Sequence, residues 1–295
     1  TYAFYLYRAG RLDEALQAAG VHLWLDTLAC TPVVEGGRVT GVEVENKGGR
    51  GMLKACCVID ATGDADLAYR AGVPCVLQDN WMSFWAHQVS REKLSKALES
   101  GDPDELLKAT CFRLGANDRG SGHPEGMPKH YSVTGLDVTR FVLEGRSLLR
   151  EAVQSQPASR QDQFPLTLPA MAQFRTTRRI AGLESMVEGQ AGERRPTSIG
   201  LSGDWRKPGP VWEIPYGALV PRSVGGLLVA GRCIDSSGDA WQVTRVIPPA
   251  ALTGQAAGAA AGLAVRHKTT PGEVPASQVQ AVMRQHGIPL HLEEL

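Results

Sequence analysis

Two stretches of the chain end an apolar run in small residues and glycine, a pattern that brings main-chain N–H groups close to a bound molecule. In Val58-Ile59-Asp60-Ala61-Thr62-Gly63-Asp64 the run gives way to Ala61, Thr62 and Gly63. In Gly226-Leu227-Leu228-Val229-Ala230-Gly231-Arg232 it gives way to Gly231 and Arg232. Glycine at such a point permits close approach of backbone to ligand at the carboxyl edge of a sheet. The same letters also make a plain strand-to-helix turn, with Asp64 or Asp66 as the helix cap. Downstream of the second run stand Asp235, then Arg245-Val246-Ile247-Pro248-Pro249, then Thr253-Gly254-Gln255-Ala256-Ala257-Gly258. Proline is tolerated in a first helical turn, so the pair predicts a helix start, whose positive end favours an anionic or electron-rich ligand. Gly254, Gly258 and Gly262 recur every four residues and predict a flat stripe that lies close to a sheet or a ligand.

Charged and aromatic side chains add a second set of candidates. Arg175, Arg178 and Arg179 can bind a carboxylate, guanidinium being suited to bidentate contacts. At helical spacing Arg175 shares a side with Arg178 or Arg179 while those two diverge, so at least one reads as a surface ion pair. His123 and His130 flank Pro124-Glu125-Gly126-Met127-Pro128-Lys129. They read as a base, as metal ligands together with Glu125, or as parts of a solvated loop. Trp81, Phe84, Trp85 and His87 either line a substrate pocket or fill a core. Trp241 either covers a ligand or fills a junction.

These residues need elements to hold them. Leu12, Ala15, Leu16 and Ala19 share a helical face that ends at Gly20, and Val21 to Leu28 reads as a strand. Glu35-Gly36-Gly37-Arg38 and Asn46-Lys47-Gly48-Gly49 read as hairpin turns, and Cys56 to Ile59 as a buried strand leading to the first glycine turn. Helix, strand, antiparallel meander and buried strand make an α/β organisation. From Trp81 to about Trp212 the pattern changes to scattered glycine, proline and charge, with helices predicted over Val138 to Gln154 and Pro169 to Ala181. The buried style returns after Pro215, and the end from Thr269 reads as a short helix and a surface tail. Composition excludes several classes: hydrophobic residues are 43%, charged residues 21%, and 31 Lys and Arg balance 31 Asp and Glu. Such a chain is neither disordered nor built around a positive field for nucleic acid or anionic membrane. Six cysteines without a C-x-x-C are too sparse for a disulfide scaffold, and with no leader or membrane span read, the expected location is cytoplasmic.

The order of these motifs resembles the FAD-dependent oxidoreductase family, with its glutathione-reductase-like FAD fold. Ala61-Thr62-Gly63-Asp64 is similar to its second FAD-contact loop, and Leu228-Val229-Ala230-Gly231-Arg232 through Gly258 to its C-terminal FAD-binding segment. Phe174-Arg175-Thr176-Thr177-Arg178-Arg179-Ile180 resembles its Arg-Glu-Thr-Arg-Arg-Ile helix with Thr176 in place of Glu, and Trp212 to Tyr216 the segment returning to the FAD domain. The resemblance implies an α/β, Rossmann-like three-layer FAD/NAD(P)-binding domain carrying a β-meander and an inserted α+β substrate domain. Its parts would be residues 1–78 and 215–268 for FAD, 79–214 for substrate, and 269–295 as a C-terminal helix and tail. It implies FAD as cofactor and hydride transfer between flavin and a small organic substrate. Ala61, Thr62 and Gly63 would meet the adenosine side, and Gly231 and Arg232 the ribitol and pyrophosphate. Val246 and Ile247 would pass the isoalloxazine ring, and a helix N-terminus around Gly254, Gln255 and Ala256 would face its pyrimidine edge. Arg178, Arg175 and His130 are the catalytic candidates, and no metal is expected. The family's opening Gly-x-Gly-x-x-Gly does not occur. Either a second polypeptide supplies that βαβ unit in a hetero-oligomer, the favoured expectation, or the chain is a fragment. The alternatives from other classes are a non-catalytic subunit with a vestigial FAD fold, a nicotinamide-binding Rossmann protein, and a metal hydrolase.

Overall fold

A computed structural model describes residues 2–109, 111–117, 119–131, 133–155, 161–165 and 172–295. Among them the chain runs α1 (Tyr2–Ala18), β1 (Leu28–Glu35), β2 (Arg38–Asn46), β3 (Gly49–Lys54), β4 (Val58–Asp60), α2 (Asp66–Arg70) and β5 (Cys75–Leu77). It continues through β6 (Ser83–Ser90), α3 (Arg91–Ser100), α4 (Pro103–Lys108), β7 (Cys111–Gly115), α5 (Gly135–Ser155) and β8 (Gln163–Pro165). It closes with β9 (Arg178–Ile180), β10 (Ser198–Gly203), β11 (Val211–Pro215), β12 (Leu227–Val229), α6 (Gly238–Thr244), α7 (Ile247–His267) and α8 (Ala276–Gln285). The result is a mixed α/β protein with several small sheets. No helix among the described residues is long and apolar enough to cross a membrane.

The chain divides into two compact units, one of residues Thr1–Leu25 and Asp79–Phe174 and one of Asp26–Gln78 and Arg175–Leu295. Residues 175–214, grouped with the inserted block in the sequence reading, therefore cluster with the second unit. In the first unit β6 is the middle of a three-stranded sheet, and Met82, Phe84, Phe141, Leu149 and Phe174 form the core. The α5 helix starts in a reciprocal cap: Asp137 N–H donates to the Thr134 hydroxyl, and Thr134 N–H donates back to the Asp137 carboxylate, each at 3.2 Å.

In the second unit the meander β1–β2–β3 forms at the two predicted glycine turns, with Glu35 opposite Arg38 and Asn46 opposite Gly49. β4 pairs in parallel with β12, Asp60 opposite Val229, and these are the two strands of that sheet among the described residues. The helix α7 covers the core with one face, Ala256, Ala257, Ala260, Leu263 and Ala264.

Several expectations are corrected. Val21 to Leu25 is not a strand; Asp26 takes a left-handed φ of 51°, which breaks extension, and the strand begins at Leu28. Cys56 is exposed and β4 begins only at Val58. The helix predicted over Pro169 to Ala181 has residues 169–171 outside the described residues, and from Ala172 onward it is absent. Arg178 to Ile180 is instead β9, whose three residues pair with Leu77, Val76 and Cys75 of β5. Cross-strand pairing and the β-branched Thr176, Thr177 and Ile180 favour extension there. The C-terminal tail is not a surface tail throughout, since Leu290 and His291 are buried and His291 Nδ1 lies 2.9 Å from the buried Glu213 carboxylate. The glycine stripe also reads differently: a Cβ built on Gly254, Gly258 or Gly262 meets nothing within 4 Å.

That last observation makes a direct test. Gly262→Ala should raise stability by about 0.5–1 kcal/mol through helix propensity, whereas Ala260→Leu on the covered face should lose about 1–3 kcal/mol by overpacking. Denaturant midpoints of the two variants check both signs.

Candidate functional site

The parallel pair β4–β12 places two turns side by side. Each contains a glycine in the left-handed region, Gly63 and Gly231, both at φ 80°. A Cβ on Gly63 would sit 3.2 Å from the Arg232 guanidinium, so the loops touch here. Arg232 Nε donates to the Gly63 carbonyl at 2.8 Å, and its Nη2 to the Asp64 carboxylate at 2.6 Å. Ala61 and Thr62 are exposed, Gly63 and Gly231 half-buried.

Asp60 organises the first loop. Its carboxylate is fully buried and accepts from Thr62 N–H (3.0 Å), the Thr62 hydroxyl (2.7 Å) and Ala68 N–H (2.8 Å), while its carbonyl accepts from Ala230 N–H (3.0 Å). Thr62 in turn accepts from Asp66 N–H at 3.1 Å. The helix α2 is thus entered through Ala65 in the left-handed region, and neither Asp64 nor Asp66 caps it. On the second loop Gly231 N–H donates to the Thr253 hydroxyl at 3.0 Å, which donates to the Pro249 carbonyl at 2.8 Å. Trp241 is buried, its indole N–H on the Arg232 carbonyl at 2.6 Å, so it fills the fold.

The segment at β9 ties these loops down. The Thr177 hydroxyl donates to Asp64, Arg178 Nη2 pairs with Asp66 at 2.5 Å while its guanidinium lies 4.5 Å over the Tyr69 ring, and Arg179 pairs with Asp235. Asp235 also accepts from Gly182 N–H and the Ser185 hydroxyl, each at 2.8 Å. Burial pushes the Asp66 carboxyl above its ordinary range, with Arg178 pulling the other way. Arg178 and Arg179 thus leave a strand on opposite faces toward internal carboxylates, in place of the helical arrangement expected. Arg175 is half-buried.

The helix α7 begins at Ile247, with Pro248 and Pro249 in its first turn as predicted. Those prolines remove two of the four N–H groups that a helix start leaves without intrahelical partners. No acidic residue stands in that turn and no side chain caps it. Gly254, Gln255 and Ala256 lie two turns inside the helix rather than at its N-terminus, and Ala256 is buried in the core. Val246 lines an apolar groove of about 430 Å³ with Trp205, Pro248, Leu252, Ile288 and Pro289. Ile247 is half exposed.

The remaining candidates belong to the first unit. His123 Nδ1 accepts from Met82 N–H at 3.0 Å and its Nε2 lies 2.8 Å from the Met127 carbonyl, so both ring nitrogens hold the loop. His130 is buried, edge-on to Phe141, with Nε2 3.1 Å from Glu144. Phe84 is core; the Trp85 side chain lies outside the described residues. No three His, Cys, Asp or Glu groups among the described residues converge as metal ligands. Sequence reasoning missed Asp60, Thr177 and Asp235 as organisers. A carboxylate closing an apolar run was the available sign for Asp60, because a charge so placed must find donors in the fold.

Two outcomes follow. Asp60→Ala should cost about 3 kcal/mol or more, since it leaves the buried Ala68 N–H, and the Thr62 N–H and hydroxyl, without their acceptor; chemical denaturation reads it. Burial lowers the His130 pKa from the ordinary 6.5, Glu144 opposing. The unfolded chain then binds the extra proton first, so stability conferred at neutral pH should fall as pH drops through 6.5 toward the folded value. Replacing His130 with Gln should flatten that part of the stability–pH curve.

The family model of FAD dependent oxidoreductases matches residues 9–141 and 144–283. No individually curated protein matches the chain. With the match running over both units and both glycine turns, the chain belongs to the FAD-dependent oxidoreductase family, whose cofactor is FAD.

Proposed function

We propose that the chain handles both cofactor and substrate in hydride transfer between FAD and a small organic molecule, on a glutathione-reductase-like architecture. The single observation that carries this is the pair of adjacent parallel strands, each ending in a glycine turn at φ 80°. Main chain at the exposed Ala61 and Thr62 and the half-buried Gly63 suits the adenosine side of the cofactor, and Gly231 with Arg232 suits the ribityl and pyrophosphate stretch. The dipole of α7, with Val246 and Ile247 at its start, suits the electron-rich end of the ring. Gly254, Gln255 and Ala256 act from within that helix, as its packing, rather than as its N-terminus. When bound, FAD supplies the two-electron chemistry. The residues of this chain orient it, keep its loops rigid and give it an apolar wall in the groove beside Val246.

The second unit is proposed as the FAD-binding part, and the inserted residues of the first unit as the substrate part. Arg175 and His130 are the side chains proposed for substrate handling; His130, held neutral at pH 7 by its burial, is in the form a base requires. Arg178 is proposed to act indirectly, since Asp66 holds its guanidinium. The proposal does not rest on a second polypeptide. One observation favours the non-catalytic alternative: Arg178, Arg179 and Arg232 are each paired with a carboxylate of the chain itself.

A titration with FAD separates the readings. Gly63→Ala and Gly231→Ala should each weaken binding by about tenfold or more, from the left-handed backbone that a side chain resists, while Gly262→Ala binds as the wild type does. Binding that is indifferent to both loop variants contradicts the proposal.

A further inference from the structure

The inserted segment leaves the second unit directly after β5 and returns directly before β9, at Asp79 and Phe174. Those two crossings lie side by side: Leu77 is opposite Arg178, and Gln78 N–H donates to the Thr177 carbonyl at 2.9 Å. The residues at the return point are the ones that hold the cofactor loops. Thr177 is fully buried and reaches Asp64, Arg178 reaches Asp66, and Arg179 reaches Asp235. Asp64 is shared, because Arg232 of the second loop donates to the same oxygen. Three consecutive residues, Thr177 and the first two of β9, therefore engage both loops, from the base of the segment that the chain inserts.

We propose that Thr177, Arg178 and Arg179 are positioning residues that set the two FAD loops from the root of the inserted segment. Through Asp64, Asp66 and Asp235, a change in that root alters how the loops hold the cofactor. The idea rests on the FAD reading above. By reciprocity of linked equilibria, FAD bound at the loops must in turn steady the root.

Thr177 allows a nearly isosteric test. Thr177→Val removes the hydroxyl donor and keeps the shape, and Thr177→Ser keeps the hydroxyl. In the full chain, Thr177→Val should weaken FAD binding about tenfold, the loss expected of a hydrogen bond to a carboxylate. Thr177→Ser should stay within about threefold of wild type. Hydrogen exchange gives the second reading: FAD should slow exchange at the Gln78 amide in the wild type and not in Thr177→Val. Wild-type affinity in Thr177→Val, or a Gln78 amide indifferent to FAD, overturns the proposal. A wild type that takes up no FAD overturns the functional reading instead. Exchange of the amides of residues 61–66 without cofactor then decides the positioning claim, and equal rates in wild type and Thr177→Val refute it. Should Thr177→Val not fold, Thr177→Ala, which also removes the hydroxyl donor to Asp64, takes its place with the same outcomes.

Discussion

Taking a carboxylate out of water is costly unless donors meet it inside, and Asp60 is fully buried at the end of a three-residue strand. Its neighbours are arranged around that requirement. Thr62 must fold back to give its N–H and hydroxyl, Ala65 must turn left-handed, and α2 must start where Ala68 can donate. The same residue's carbonyl takes Ala230 N–H, which registers the second strand's exit against the first. The loop proposed to meet FAD owes its shape to one buried carboxylate. That explains why a β-strand pair of only three residues each can present two turns with defined geometry.

A second theme is that the cations near this site are already neutralised. Arg178, Arg179 and Arg232 pair with Asp66, Asp235 and Asp64, all at low to moderate exposure. Deleting one partner of such a pair leaves an uncompensated charge, so each of these arginines helps hold the loops. On the function proposed above, recognition of FAD falls to main-chain groups and a helix dipole more than to free side-chain charge.

Local patterns in the sequence were informative where local chemistry decides the structure. Two glycine-rich turns forced the meander, two prolines marked the start of α7, and apolar runs ending in glycine located both loops. The helix ending at Gly20 was legible too: Val21 N–H reaches the Leu16 carbonyl and Gly20 N–H the Gln17 carbonyl, the six-residue closure that glycine allows. What depended on partners distant in sequence was not legible. Arg175 to Ile180 has letters that suit a helix as well as a strand, and only pairing with β5, a hundred residues earlier on the ~100-residue scale of a domain, selects extension. The three organisers Asp60, Thr177 and Asp235 likewise have no periodic signature. Spacing suggested that the stripe at Gly254, Gly258 and Gly262 is a contact face, yet the alanines between them meet the core. A repeat of four defines a face without saying what lies across from it.

The most direct measurement is the visible absorption spectrum of the native purified protein, taken before any denaturing step. If the two loops hold FAD, the spectrum shows the two bands of oxidised flavin, and FAD appears in the supernatant once the protein is unfolded. A colourless protein that excess FAD leaves unchanged, with its fold intact, would contradict that reading.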